Sequence, residues 1–167
     1  MCGNHVSYLD PPVFGVACPR AMHFMARDTL FKKKNFAWIL RQVNAFPLKR
    51  NAADIWALKE ALRVLKAGRG LLLFPEGTRT VGGDLGKPQA GVGFLVRKSG
   101  VPVIPAYVEG SDRALPKQEK KFHFFRPIHV QIGKPFYPDC KTLTDEEVSL
   151  HVMEKIRELR PDESRGL

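Results

Sequence analysis

One stretch limits the architecture of this chain more than any other: "ADIWALKEALRVLKAGRGLLLFPEGTR", Ala53 to Arg79. Its first part, Ala53–Gly68, sets Ile55, Leu58, Leu62 and Leu65 on one face at helical spacing. Gly68 falls where a glycine caps a helix C-terminus. Gly70–Pro75 is then a continuous apolar run ended by a turn, the pattern of a strand covered on both faces. A helix that turns back onto a buried strand argues for an α/β sheet with helices on its faces.

The rest of the chain extends that alternation. "FGVAC" (Phe14–Cys18) reads as a short strand, and Met22–Leu40 as a strand followed by a helical stretch with a basic cluster at Lys32–Lys34. Glu76–Pro88 is glycine-rich loop, Gln89–Gly100 a short helix, and Val101–Val108 a strand whose two prolines suit an edge or an irregular position. Arg126–Pro135 holds a further strand. The last helix starts at Thr144, where T-D-E-E has capping-box spacing, and Val148, Val152, Ile156 and Leu159 form its apolar stripe. The expected fold is a mixed sheet flanked by helices in one domain over residues 1–167. In such sheets chemistry sits in the loops at strand ends, where "NHVSYLD" (Asn4–Asp10) and "FPEGTR" (Phe74–Arg79) are both placed.

With 167 residues, 44% of them hydrophobic, the chain is long enough for one core. Its formal charge is +10, unevenly spread. Arg20–Lys66 holds eleven basic residues against three acidic, whereas Asp139–Leu167 holds five against eight. Such a chain is drawn to anionic lipid, nucleic acid or phosphorylated substrates. Three cysteines, Cys2, Cys18 and Cys140, are odd in number and lack metal-site spacing, which suits reduced thiols in a cytosolic setting. No apolar run reaches the ~18–20 residues that span a bilayer.

Several residues are candidates for chemistry, each with a plainer reading beside it. His5 and Asp10 suit a general base and its orienting carboxylate; the alternative is a surface histidine and a helix-capping aspartate. Arg79 can fork onto a phosphate while Thr78 and the backbone near Gly77 add neutral donors; the alternative is a polar turn. Arg50 ends "NAFPLKR" as a second guanidinium or as a solvated charge. Val101–Val108 is a buried strand or the wall of an apolar groove. "LFKKKNFAW" (Leu30–Trp38) and "KKFHFFRP" (Lys120–Pro127) interleave cations with aromatics, which suits an anionic membrane interface, single-stranded nucleic acid, or a solvated face with its rings turned inward.

Taken in order, four blocks resemble the glycerolipid acyltransferase family, the glycerol-3-phosphate and lysophosphatidic acid acyltransferases. They are N-H-x-S-x-x-D at Asn4, His5, Ser7 and Asp10; "NAFPLKR" ending at Arg50; "FPEGTR"; and V-P-V-I-P at Val101–Pro105. "IGKPF" (Ile132–Phe136) resembles the family's late strand and turn. The second block departs from the pattern, with Asn44 where a glycine is usual and Pro47 where an apolar residue is usual. Only three residues precede the first block, so the resemblance leads us to expect a chain shortened at its N-terminus.

The resemblance implies transfer of a fatty acyl group from acyl-CoA or acyl-carrier protein to 1-acyl-sn-glycerol-3-phosphate, forming phosphatidic acid in phospholipid biosynthesis. His5 would be the base and Asp10 its partner. Glu76, Gly77, Thr78 and Arg79 would bind the acceptor, with Arg50 assisting, and Val103, Ile104 and Pro105 would line the acyl groove. No cofactor or metal is expected, and the protein is expected at the cytoplasmic face of a membrane, on an anionic surface rather than on nucleic acid. The alternatives are another lysolipid or glycerol-3-phosphate as acceptor, or a non-catalytic basic module.

Overall fold

Strands and helices alternate along the chain, and the parallel strands all run in one direction. The structure, a computed structural model, describes residues 1–49, 54–80, 84–118 and 121–161. Its elements are β1 (Cys2–Gly3), α1 (Asp10–Ala17), β2 (Met22–Arg27), a 3-10 turn (Asp28–Lys32), α2 (Lys34–Gln42) and β3 (Ala45–Leu48). There follow α3 (Ile55–Lys66), β4 (Gly70–Leu72), α4 (Ala90–Ser99), β5 (Pro105–Glu109), α5 (Ser111–Ala114), β6 (His129–Ile132) and α6 (Asp145–Arg157).

β2 pairs in parallel with β3 and β4, β1 in parallel with β5, and β6 antiparallel to β5. A parallel bridge between Cys2 and Leu73 joins the two halves, giving the order β3-β2-β4-β1-β5-β6. The expected mixed α/β sheet is therefore present. β4 and the bridge residue after it are buried on both faces: Leu71 and Leu73 join the core under α3, α4 and α6, while Leu72 joins a second core with Phe14 of α1. Cys2 is buried in the first core, and burial pushes its thiol above the ordinary cysteine range, which makes it unreactive. Among the described residues no helix is long and apolar enough to cross a membrane.

Three expectations are corrected. Phe14–Cys18 is not a strand, because residues Asp10–Ala17 form α1 with proline at its first positions. Proline pre-sets the helical φ there and has no N–H to waste, and so short an apolar run has no period of its own. In α3 the buried positions are Ala57, Ala61 and Val64; Leu58, Leu62 and Leu65 pack at the margin, and Ile55 is exposed. Small residues let the helix approach its neighbours, so the alanines take the central line. For the proline-bearing Val101–Val108 the irregular reading holds and the edge reading does not: β5 is an interior strand, and the prolines fall in the irregular stretch before it and at its first residue, where the ladder loses nothing.

Other local signals hold. Gly68 closes α3 with Arg69 N–H on the Val64 carbonyl and its own N–H on that of Leu65. Thr144 and Glu147 form the capping box of α6, and Thr144 holds the Glu147 carboxyl below its usual range. Helices α4 and α6 meet at Gly93, whose N–H donates to Ser149 Oγ at 2.8 Å. A methyl group at Gly93 would overlap the backbone carbonyl of Asp145. Gly93→Ala is expected to lower stability by about 2–3 kcal/mol; an unchanged urea midpoint would contradict this packing.

Candidate active site

The first block lies where β1 ends, and its polar residues reach far along the chain. Asn4 continues the ladder with its side chain, accepting from Val108 N–H at 2.7 Å and donating to Val108 C=O at 2.9 Å. Ser7 Oγ donates to the Leu115 carbonyl at 2.9 Å. Asp10 is fully buried, and its Oδ2 lies 2.7 Å from His5 Nδ1. The same oxygen accepts the N–H groups of Val6 at 2.7 Å and Ser7 at 2.8 Å, and Oδ1 accepts the Ser111 hydroxyl at 2.5 Å. A carboxylate oxygen that already accepts two amide protons makes Nδ1 the protonated nitrogen of the imidazole, so the lone pair falls on Nε2. The His5 side chain is 13% exposed, whereas Asp10 behind it is fully buried.

The third block is folded against this pair. The ring of Phe74 stacks on His5 with centroids 4.1 Å apart and planes at 17°. Glu76 is turned inward and 3% exposed: one oxygen accepts His5 N–H at 3.0 Å and the other Gly86 N–H at 2.9 Å. Thr80 N–H donates to the His5 carbonyl at 2.8 Å. The backbone of His5 is thus clamped on both sides by the loop. The Arg79 guanidinium lies 3.5 Å from the centroid of the Tyr8 ring, and the Arg79 backbone carbonyl accepts from Lys117 Nζ at 2.6 Å. Its Nη1 is buried and has no hydrogen-bond partner among the described residues. A buried cationic donor left open is costly in the free protein and suits an oxyanion that would fill it.

Residues 1–109, which contain both blocks, match the family model described as Acyltransferase. The chain belongs to this acyltransferase family. It is 27% identical, over 92% of its length and 45% of the relative's, to the chloroplastic 1-acyl-sn-glycerol-3-phosphate acyltransferase BAT2 of Brassica napus. It is 30% identical to the 1-acyl-sn-glycerol-3-phosphate acyltransferase of Bacillus subtilis, over 80% of this chain and 64% of that protein. The crystal structure of the 1-acyl-sn-glycerophosphate acyltransferase PlsC from Thermotoga maritima superposes with a TM-score of 0.76 at 28% identity, covering 97% of this chain and 67% of that one. The chain spans roughly half the length of the curated relatives it matches.

Within this acyltransferase domain, His5, Asp10, Glu76, Gly77, Thr78 and Arg79 all lie on the two apposed blocks. Gly77 and Thr78 face solvent, while Glu76 faces the backbone. Arg50 falls outside the described residues. Val103–Pro105 do not join the group: Val103 and Pro105 are buried and Ile104 half-buried, at the amino end of β5, away from Val108 and Asn4. Val103 belongs to the core beneath α4 and α6. Asn44, in place of the usual glycine, adopts φ 59°, the left-handed region that asparagine tolerates best after glycine.

The sequence reading missed Ser111, Tyr8 and Lys117. A serine straight after a strand and glycine signals a helix start, but nothing local points it at Asp10, 101 residues away. Ser111 is buried and holds the carboxylate that holds the imidazole. Ser111→Ala is expected to lower kcat about tenfold with KM little changed. Rescue by Thr would support a positioning role; an unchanged kcat in the alanine variant would remove it.

Proposed function

We propose that this domain transfers a fatty acyl group from an acyl thioester, acyl-CoA or acyl-carrier protein, to the free hydroxyl of 1-acyl-sn-glycerol-3-phosphate. The observation that carries this reading is the pairing of an Asp10-bound His5 with Arg79 on the apposed loop, whose Nη1 has no hydrogen-bond partner among the described residues. One group suits proton removal and the other suits a phosphate, and the acceptor offers both a hydroxyl and a phosphate.

The acceptor phosphate fills the fork of Arg79, which the Tyr8 ring and the Lys117 contact hold in place. His5 Nε2 takes the hydroxyl proton as the oxygen attacks the thioester carbonyl. Asp10 stabilises the imidazolium that forms. The tetrahedral intermediate collapses to the ester, and the departing thiolate receives the proton from His5. No acyl-enzyme is needed, because the thioester is already activated. Holding the hydroxyl beside His5 supplies several kcal/mol of the barrier reduction, roughly the value of a well-oriented intramolecular reaction. His5, Asp10, Arg79, Thr78 and Gly77 thus serve the reacting groups, while Glu76 shapes the loop from behind. The basic surface favours work at the anionic cytoplasmic leaflet of a membrane.

Incubation with acyl-CoA or acyl-carrier protein and 1-acyl-sn-glycerol-3-phosphate, followed by thiol release and phosphatidate formation, tests this. Absence of transfer from either donor would end the reading. The names of the relatives support the same acceptor.

A further inference from the structure

The candidate site opens at the carboxyl edge of the parallel strands, and a basic–aromatic loop stands at that edge. β6 runs antiparallel to β5 with His129 opposite Glu109, so the residues just before His129 lie at the carboxyl end of β5. There Phe122, Phe124 and Phe125 are 42%, 73% and 103% exposed. The rings of Phe122 and Phe124 meet edge-on at 4.9 Å, with neither turned into the core. Phe125 sits at φ 60°, a conformation rare for a bulky residue, at the tip of the turn. Lys121 and Arg126 flank the rings and are exposed.

The loop is fastened beside the site. His123 N–H donates to the Ala114 carbonyl at 2.8 Å. The Pro127 carbonyl lies so close to Gly110 that any Cβ there would overlap it. Gly110 and Ala114 bracket α5, whose Ser111 holds Asp10. On the other flank, β2 ends at the same edge and leads to exposed Lys32, Lys33 and Lys34. Exposed phenylalanines gain by leaving water, and the cations around them need anions at the same depth. A surface that is anionic outside and apolar within meets both demands.

We propose that the loop from Lys121 to Arg126 inserts its phenylalanines into an anionic phospholipid bilayer, with Lys121 and Arg126 on the head groups, and so holds the His5 edge against the lipid surface. This rests on the acyltransferase reading for its biological sense, but its vesicle-binding test does not. Co-sedimentation of the full chain with vesicles of phosphatidylglycerol and phosphatidylcholine, against phosphatidylcholine alone, compares the wild type with F124S/F125S and with K121E/R126E. Both variants are expected to lose about tenfold or more in anionic-vesicle binding, with high salt weakening the wild type. Transfer to a short-chain, water-soluble lysophosphatidate should be unchanged in F124S/F125S, while transfer to vesicle-presented acceptor falls.

Wild-type binding of anionic vesicles by both variants would overturn the proposal. So would a matching loss of activity on the soluble acceptor, or preference of the wild type for single-stranded nucleic acid over the vesicles. If the wild type transfers no acyl group yet loses vesicle binding on F124S/F125S, the catalytic reading fails and the docking loop stands.

Discussion

His5→Ala is expected to lower the acyl-transfer rate about 10³-fold, a loss within the range for removal of a positioned general base. The acceptor hydroxyl would keep its phosphate anchor but have no nearby group to take its proton. KM should therefore change little while kcat collapses. The fold should survive, because the loop grips His5 through its backbone: Glu76 on the N–H and Thr80 on the carbonyl remain in the variant. Stopped thiol-release assays and a thermal melt check both halves. A variant that keeps wild-type kcat would show that His5 is not the base.

Arg79→Ala should raise the KM for the phosphorylated acceptor about 100-fold, equivalent to roughly 3 kcal/mol, with a smaller effect on kcat. It should not destabilise the free protein by a comparable amount. An arginine that stabilises a fold has its donors filled, whereas Nη1 of Arg79 is buried with no hydrogen-bond partner among the described residues. Removing it gives up the contact with Tyr8 but also relieves an unpaired buried donor. Arg79→Lys keeps the charge and loses the fork, so its KM should fall between the two. An unchanged KM in the alanine variant, or a loss of stability without a change in KM, would take Arg79 out of the phosphate site.

What could be read from the residues was local. The spacing of His5 and Asp10 allows a pair closed by a turn, but the apolar run Phe14–Cys18 disguises as a strand the helix that Pro11 and Pro12 start. Capping at Gly68 and Thr144, and the buried strand at Gly70–Leu72, likewise depend on neighbours within a few residues. Helical spacing in α3 showed an apolar face but not its rotation, since that depends on how closely Ala57 and Ala61 let the helix approach its neighbours. The inward turn of Glu76 followed the same logic: a carboxylate in a glycine-rich loop reads as solvated until two backbone N–H groups converge on it.

By itself the sequence determined the α/β alternation, the caps at Gly68 and Thr144, and the two blocks that carry ionisable chemistry, with His5 and Asp10 spaced so that a pair was one of two readings. All of these rest on short-range sterics, capping and periodicity. Only the tertiary structure decided that Asn4, Ser7 and Asp10 are secured by Val108, Leu115 and Ser111, more than 100 residues away. It alone left Arg79 Nη1 without a partner among the described residues and set the Phe122–Phe125 turn beside the site. Such contacts form when parallel strands come into register and their carboxyl ends meet at one edge. Residues separated by most of the chain are brought together by packing of the whole core, which no local pattern encodes.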